Sequence, residues 1–301
     1  MPALKVSLVL QPYTGTMPPY EYSIGPELMY KKALKVLEEE RVKVVSIQSV
    51  ALTSKESKEY GAWHRMGLAN GHLGRSLAPL AKKGFFILGL LGNCNSLSGM
   101  LAGLQNSGAS QKPLTIGLVW LDAHGDFNTP ETTLSGWLGG MPVAVAAGKC
   151  LSRLRMKSGL NPPISTQNII MMGQRDIDPL EQELINDASI SMISIKSMIT
   201  QNKSLKDSMN RLSNQVNKIY VHIDLDVLDA SFIPGSHFKV PGGLTPLELS
   251  RILRTITGFE KVKALGIASF PIPEYGREKT MDSFIQLIRG IIQGLNDRHS
   301  P

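Results

Sequence analysis

Leu114-Thr115-Ile116-Gly117-Leu118-Val119-Trp120-Leu121 runs without a break into Asp122-Ala123-His124-Gly125-Asp126. The first segment is apolar on both faces of an extended chain, as expected for a strand covered by helices on each side. The residues after it place three ionisable groups where the apolar run stops. A second stretch repeats the arrangement: Ile219–Val227 reads as a strand, yet it carries His222, Asp224 and Asp226, with Asp229 just beyond. Side chains at i, i+2 and i+4 of a strand share one face. The spacing therefore predicts that Asp122, His124 and Asp126 project together, as do His222, Asp224 and Asp226.

Working outward, further strands are expected at Lys5–Leu10, Val42–Ser49, Phe85–Leu90, Asn168–Met172, Ser189–Ile195 and Val262–Ser269. Between them lie helical patterns. The first opens with Gly25 at the N-cap and Pro26 at N1, then lines Met29, Ala33 and Leu37 along one face. Others run near Leu68–Lys82, Asn95–Leu104, Leu134–Ala147, Ser197–Val216, Pro246–Ile256 and Met281–Leu295. This alternation implies βαβ units and a largely parallel sheet of about eight strands. No linker or internal repeat divides residues 1–301, so one α/β domain is expected.

The bulk composition agrees. Hydrophobic residues make up 42% and charged residues 19% of the 301, enough to build a large core and too apolar for disorder. The longest apolar run, Gly84 to Leu91, is too short for a bilayer span, and the N-terminus reads as a first strand rather than a signal peptide. Two cysteines, Cys94 and Cys150, exclude a disulfide framework and point to the cytoplasm. The net charge of +7 is dispersed, without the clustered stripe of a nucleic-acid binder.

Carboxylates crowded at the ends of buried strands repel one another and lose hydration, and a bound dication relieves both penalties. Each cluster alone could be a helix cap or a set of surface ion pairs; two matching clusters, one with an interleaved histidine, favour a metal site. Asp and His donors suit Mn²⁺, Fe²⁺, Co²⁺, Ni²⁺ or Zn²⁺. The residues by themselves reach a metal-assisted hydrolase. A magnesium-dependent phosphotransferase would need a phosphate-cradling glycine loop, and none is present.

Asp122-Ala-His124-Gly-Asp126-Phe-Asn128-Thr-Pro resembles the D-A-H-x-D motif of the arginase/agmatinase (ureohydrolase) family, and Asp224-Leu-Asp226-Val-Leu-Asp229 its D-x-D-x-x-D-P motif, with Ala230 in place of proline. Gly173-Gln-Arg175-Asp176-Ile-Asp178-Pro179, Pro241-Gly-Gly-Leu-Thr245 and Ile24-Gly-Pro26 are similar in matching order. The resemblance implies a three-layer α/β/α fold, two manganese ions and a trimer or hexamer. By the same resemblance Asp122 and Asp224 bridge the ions, His124 and Asp226 complete one site, and Asp126 belongs to the other. Asn128, Thr133 and Ser135 match positions that receive the substrate's α-carboxylate in arginases. Asp178 and Glu181 match positions near the α-amino group.

Three departures stand out. Leu91-Gly92-Asn93-Cys94-Asn95 occupies the place of G-G-D-H-S, which puts Cys94 where the family has a histidine ligand. A thiolate there prefers softer ions such as Zn²⁺, Co²⁺, Ni²⁺ or Fe²⁺; the competing reading is an inert buried thiol. Gly139 stands where arginases carry a proton-shuttling histidine, and Ser269 where they carry the glutamate that holds the guanidinium group. Without that charge no bidentate ion pair can form, so ordinary arginase activity is not expected.

Asp126 is expected to serve in catalysis as well as ligation, His237 to act as an acid or base at the mouth, and His222 to orient a ligand or join the site. His64, His72 and His299 are expected at the surface or in loops. Two functions follow. One is a hydrolase of a non-peptide C–N bond in a guanidino, amidino or amide small molecule, using a hydroxide held by one or two divalent ions. The other is a catalytically silent binding or assembly subunit.

Overall fold

The structure is a computed structural model that describes residues 4–15, 23–110, 112–200, 202–271 and 274–298. In chain order it contains β1 (Lys5–Gln11), α1 (Gly25–Glu39), β2 (Lys43–Ser49), α2 (Ala62–Lys82), β3 (Phe86–Leu91), α3 (Leu97–Gln105), β4 (Ile116–Leu121), α4 (Pro142–Ala146) and α5 (Ser152–Lys157). It continues with β5 (Ile169–Met172), α6 (Pro179–Asp187), β6 (Ser191–Ile193), α7 (Ile195–Thr200), α8 (Asn202–Gln215), β7 (Lys218–Asp224), α9 (Pro246–Thr257), β8 (Val262–Ala268) and α10 (Arg277–Asp297).

All eight strands join one sheet in the order β2-β1-β3-β8-β7-β4-β5-β6, and every pairing is parallel. Alternation along β4 divides its side chains between two cores. Val119 and Leu121 face Ile223, Leu249, Phe284 and Ile288 in the layer that includes α9 and α10. Leu118 and Trp120 belong to the opposite layer, with Leu73, Leu77, Leu97 and Leu101 from α2 and α3. Each large apolar side chain so buried contributes roughly 1.5–3 kcal/mol, and both faces of the sheet are covered. The expected three-layer α/β/α architecture is the one observed.

Local signals set the helix starts. Thr245 caps α9 through a reciprocal box with Glu248, and Asp178 caps α6 in the same way with Glu181. The cap of α1 falls on Ile24, one residue earlier than the glycine reading placed it. The expected helix Leu134–Ala147 is a loop with a 3₁₀ turn at Leu138–Gly140, followed by only the short α4. Gly136, at φ 70°, and the Gly139-Gly140 pair remove the propensity to continue a helix across that span. The segment expected as one helix, Ser197–Val216, holds α7 and α8. Among the described residues no helix is long and apolar enough to cross a membrane. His64 and His72 pair with Glu59 and Glu56; His299 lies outside the described residues.

The strand order places the C-terminal ends of β3, β8, β7, β4 and β5 side by side. The loops leaving that edge carry Cys94, Ser269, Asp226, Asp122 and Asp178 in turn. Open parallel sheets bind their ligands along this edge.

Candidate metal centre

β7 ends at Asp224, and residues 225–227 turn into a 3₁₀ helix, so Asp226 does not project by strand alternation. Asp122 likewise lies one residue beyond β4. Backbone turns bring the carboxylates together instead. Asp224 Oδ1 accepts the Asp226 N–H at 2.9 Å, and Asp122 Oδ1 accepts the His124 N–H at 2.7 Å. The Ala123 N–H donates to Asp226 Oδ1 at 3.0 Å and ties the two loops to each other. Asp126 is held at φ 49°, a conformation that non-glycine residues adopt rarely and mostly under local constraint. Turns rather than a shared strand face thus bring Asp122, His124 and Asp226 together, and Asp126 does not join them as the alternation predicted.

Donor atoms converge in two trios. Cys94, Asp122 and Asp224 form one; Asp122, His124 and Asp226 form the other; within each, the atoms lie within 4.8 Å of one another. Asp122 belongs to both. Cys94 Sγ is 3.0 Å from Asp224 Oδ2 and 3.7 Å from Asp122 Oδ2. His124 Nδ1 lies 3.3 Å from Asp122 Oδ1 and 3.1 Å from Asp226 Oδ2. Asp126 stands outside both trios but lines the same cavity, of about 400 Å³.

The electrostatics show what such a cluster lacks. Asp122, Asp126, Asp224 and Asp226 are all buried. Burial, reinforced by the neighbouring carboxylates, pushes Asp122 well above the usual carboxylate range and Asp224 up to about 7. Burial and the carboxylates of Glu181, Asp224 and Asp226 raise Asp126 against the pull of His124. Burial draws His124 down, yet its hydrogen bonds to Asp122 and Asp226 carry it up to about 12, so it is the cation among them. Burial and the adjacent aspartates likewise hold the Cys94 thiol well above its ordinary value.

Arg175 is close but spends its guanidinium on backbone carbonyls, those of Asp226 (2.7 Å), Val240 (2.8 Å) and Leu228 (3.1 Å) among them. It clamps the loop after β7, so His124, paired with Asp122 and Asp226, is the positive group set against the four buried aspartates. The donor set suits one or two divalent ions, whose charge would offset that of the aspartates.

Around the trios, Asn128 donates to Asp178 Oδ2 at 3.0 Å, and its own carbonyl accepts from Thr132. Glu181 lines the cavity with its oxygens engaged by the N–H groups of Phe127 and Asp178 at 2.6 and 3.3 Å. Ser135 lines the cavity; Thr133 does not, and stands behind it, 3.4 Å from the Ser135 hydroxyl. Ser269, at φ 61°, donates its hydroxyl to Asp224 Oδ2 at 2.5 Å.

His237 is exposed and outside the cavity lining, which takes its neighbour Phe238 instead. The expectation of an acid or base at the mouth is thereby corrected: the loop turns an aromatic ring inward at that point. Phe238 meets Trp137 edge to face, centroids 5.5 Å apart, and Leu134 completes an apolar rim. Neither the rim nor the Arg175 clamp was read from the sequence, although the exposed apolar residues within a Gly-rich loop were its visible signal.

His222 joins the site through Cys94. Its Nε2 is 3.3 Å from Cys94 Sγ, its Nδ1 is 2.9 Å from the Tyr220 hydroxyl, and its ring stacks on Trp120 at 4.3 Å. Burial holds it down to about 3, so the imidazole is neutral.

The profile of the Arginase family matches residues 20–292. Among curated relatives, the arginase of Bacillus caldovelox is 30% identical over 179 residues, covering 59% of this chain and 58% of its own length. The N(omega)-hydroxy-L-arginine amidinohydrolase of Streptomyces lavendulae is 32% identical over 52% of each chain. These alignments thus span little more than half the length of either relative. The crystal structure of Bacillus caldovelox arginase superposes with a TM-score of 0.83 at 23% identity, over 97% of this chain and 98% of the other. Formimidoylglutamase from Bacillus subtilis superposes with a TM-score of 0.76 at 16% identity, over 99% and 88%. None of these likenesses supports a catalytically silent subunit. Profile, fold and motif order agree that the chain belongs to the Arginase family.

Proposed function

We propose that this chain is a metal-dependent hydrolase of a non-peptide C–N bond in an amide, amidino or guanidino small molecule. The observation that carries the reading is the pair of ligand trios sharing Asp122 on the floor of one cavity. Cys94, Asp122 and Asp224 would hold one divalent ion, and Asp122, His124 and Asp226 would hold a second, with Asp122 common to the two sets. When bound, such ions polarise the scissile group and lower the pKa of water toward neutrality. The family likeness favours Mn²⁺, and the sulfur donor favours Zn²⁺, Co²⁺, Ni²⁺ or Fe²⁺.

The chain's own groups do the rest. Asp126, buried and raised above the usual carboxylate range, lines the cavity and is the candidate acid that would pass a proton from its carboxyl oxygens to the departing nitrogen. Asn128, Ser135 and Asp178 line the outer cavity and orient the far end of the substrate. Trp137, Phe238 and Leu134 exclude water from the mouth and give an apolar portion of the substrate something to pack against. Ser269 is neutral and already bonded to Asp224, so a guanidinium finds no carboxylate at that position. This favours an amide or amidine over arginine. The proposal extends to a cytoplasmic homo-oligomer, trimer or hexamer, as the resemblance implies.

A panel of guanidino, formimino and amide compounds, assayed for ammonia or urea release on protein of measured metal content, tests the reading. Turnover of a member of the panel that requires the metal supports it. No turnover of any class by protein carrying two ions contradicts it.

A further inference from the structure

The sulfur of Cys94 is held from two sides. Asp224 Oδ2 lies toward the cavity, and His222 Nε2 lies behind it. Tyr220, His222 and Asp224 alternate along β7 and therefore share a face, which aligns the hydroxyl, the imidazole and the carboxylate in one row. The row is tightly built. Trp120 stacks on the imidazole with planes 8° apart, and the partner of His222 across β8 is Gly266. A Cβ at Gly266 would collide with the Tyr220 hydroxyl, so the absence of a side chain there is what admits it.

Hydrogen-bond accounting assigns the tautomer. Tyr220 and His222 are fully buried, and His222 Nδ1 is the partner found for the Tyr220 hydroxyl among the described residues. Were Nδ1 to carry the proton, the hydroxyl would accept and its own hydrogen would be buried without an acceptor, a cost of about 1–3 kcal/mol. With the hydroxyl donating to Nδ1, every group in the row is satisfied, and Nε2 carries a hydrogen aimed at Cys94 Sγ.

Building on the ligand role proposed for Cys94, we propose that His222 is a positioning residue: its Nε2–H donates to the Cys94 sulfur and holds it as a thiolate ligand, which makes the Cys94–Asp122–Asp224 site one for a thiophilic divalent ion rather than Mn²⁺. A donor behind a metal-bound sulfur fixes its direction and offsets its charge, the part that carboxylates and carbonyls play behind metal-bound histidines.

Cobalt(II) titrated into metal-free full-length protein provides the test, because ligation by sulfur gives a near-ultraviolet sulfur-to-cobalt charge-transfer band. Wild type is expected to show the band and Cys94→Ser to lack it. His222→Leu, which removes the donor, should shift the band and weaken binding at that site by roughly tenfold or more. His222→Gln returns an N–H toward the sulfur and should restore both. Tyr220→Phe frees the tautomer and should shift the band in the same direction; it also serves if His222→Leu does not fold. Cobalt bound with the band unchanged in His222→Leu or Tyr220→Phe overturns the inference and leaves the proposed function intact. Cobalt bound to wild type with no band overturns Cys94 ligation and this inference together. Failure of wild type to bind cobalt overturns the inference, and failure to bind Mn²⁺, Zn²⁺ and Ni²⁺ as well contradicts the proposed function itself.

Discussion

Removing one buried charge should stabilise the metal-free protein, and by an amount that depends on pH. Asp224 is held up to about 7 by burial and by Asp226, against an ordinary value of 3.8. A carboxyl raised on folding binds its proton more tightly in the native state. It therefore costs stability as pH rises from its unfolded value through its folded one. For these two values the cost is about 2 kcal/mol near pH 5 and about 4 kcal/mol near pH 8.

Asp224→Asn removes that titration while keeping a side-chain oxygen for the Asp226 N–H. After chelator treatment, the variant's advantage over wild type should grow by about 2–3 kcal/mol between about pH 5 and about pH 8, or roughly 3–5 °C in Tm for a chain of 301 residues. Asp122 and Asp126, which the Asp224 charge raises, relax downward in the variant and add to the difference in the same direction. Calorimetry or thermal fluorescence on both proteins at the two pH values supplies the measurement. Saturating divalent ion should reverse the order, because the carboxylate is then a ligand. A difference that is flat with pH, or a variant less stable than wild type near pH 8 without metal, would refute the reasoning.

Three further outcomes follow from the same geometry. Cys94→Ser should lower bound metal from two ions per chain to one, read by elemental analysis; two ions in the variant would remove the sulfur from the ligand set. Gly266→Ala should destabilise the protein by roughly 1–3 kcal/mol through overlap with the Tyr220 hydroxyl, and adding Tyr220→Phe should recover part of that loss; strictly additive losses in the double variant would contradict the contact. Ser269→Glu should raise kcat/KM for a guanidino compound relative to an amide by about tenfold or more, the scale of a charge-assisted hydrogen bond; an unchanged ratio would show that this position does not select the reacting group.

How far the sequence reached depends on which rule set each residue's place. The sheet was legible because its strands are buried on both faces and read as continuous apolar runs, such as Ile116–Leu121. Strand alternation correctly aligned His222 with Asp224, but it was the wrong rule for Asp226 and Asp122. Those residues lie beyond the strand ends, where Asp side chains bonded to nearby backbone N–H groups set direction.

Cys94 was found by its register in a known motif, and its nearness to Asp224 could not be read across a sequence separation of 130 residues. His237 and Phe238 differ by one position, and in a loop no periodicity says which of the two faces inward. The helix expected over Leu134–Ala147 is kept only at Pro142–Ala146, because Leu134 and Trp137 serve as a rim around an opening, a role that hydropathy does not separate from a buried face. Arg175 illustrates the same limit: the sequence shows a charge near acidic residues, but only coordinates show that it is spent on carbonyl oxygens.

Metal content per chain tests the central claim most directly. Protein purified without chelator and supplemented with Mn²⁺, Zn²⁺, Ni²⁺ or Co²⁺ should hold two ions per chain of at least one of these metals. Asp226→Asn should lose metal and turnover together. Less than one ion per chain after every supplementation would contradict the account, because the buried carboxylates would then coexist without the charge argued to hold them together.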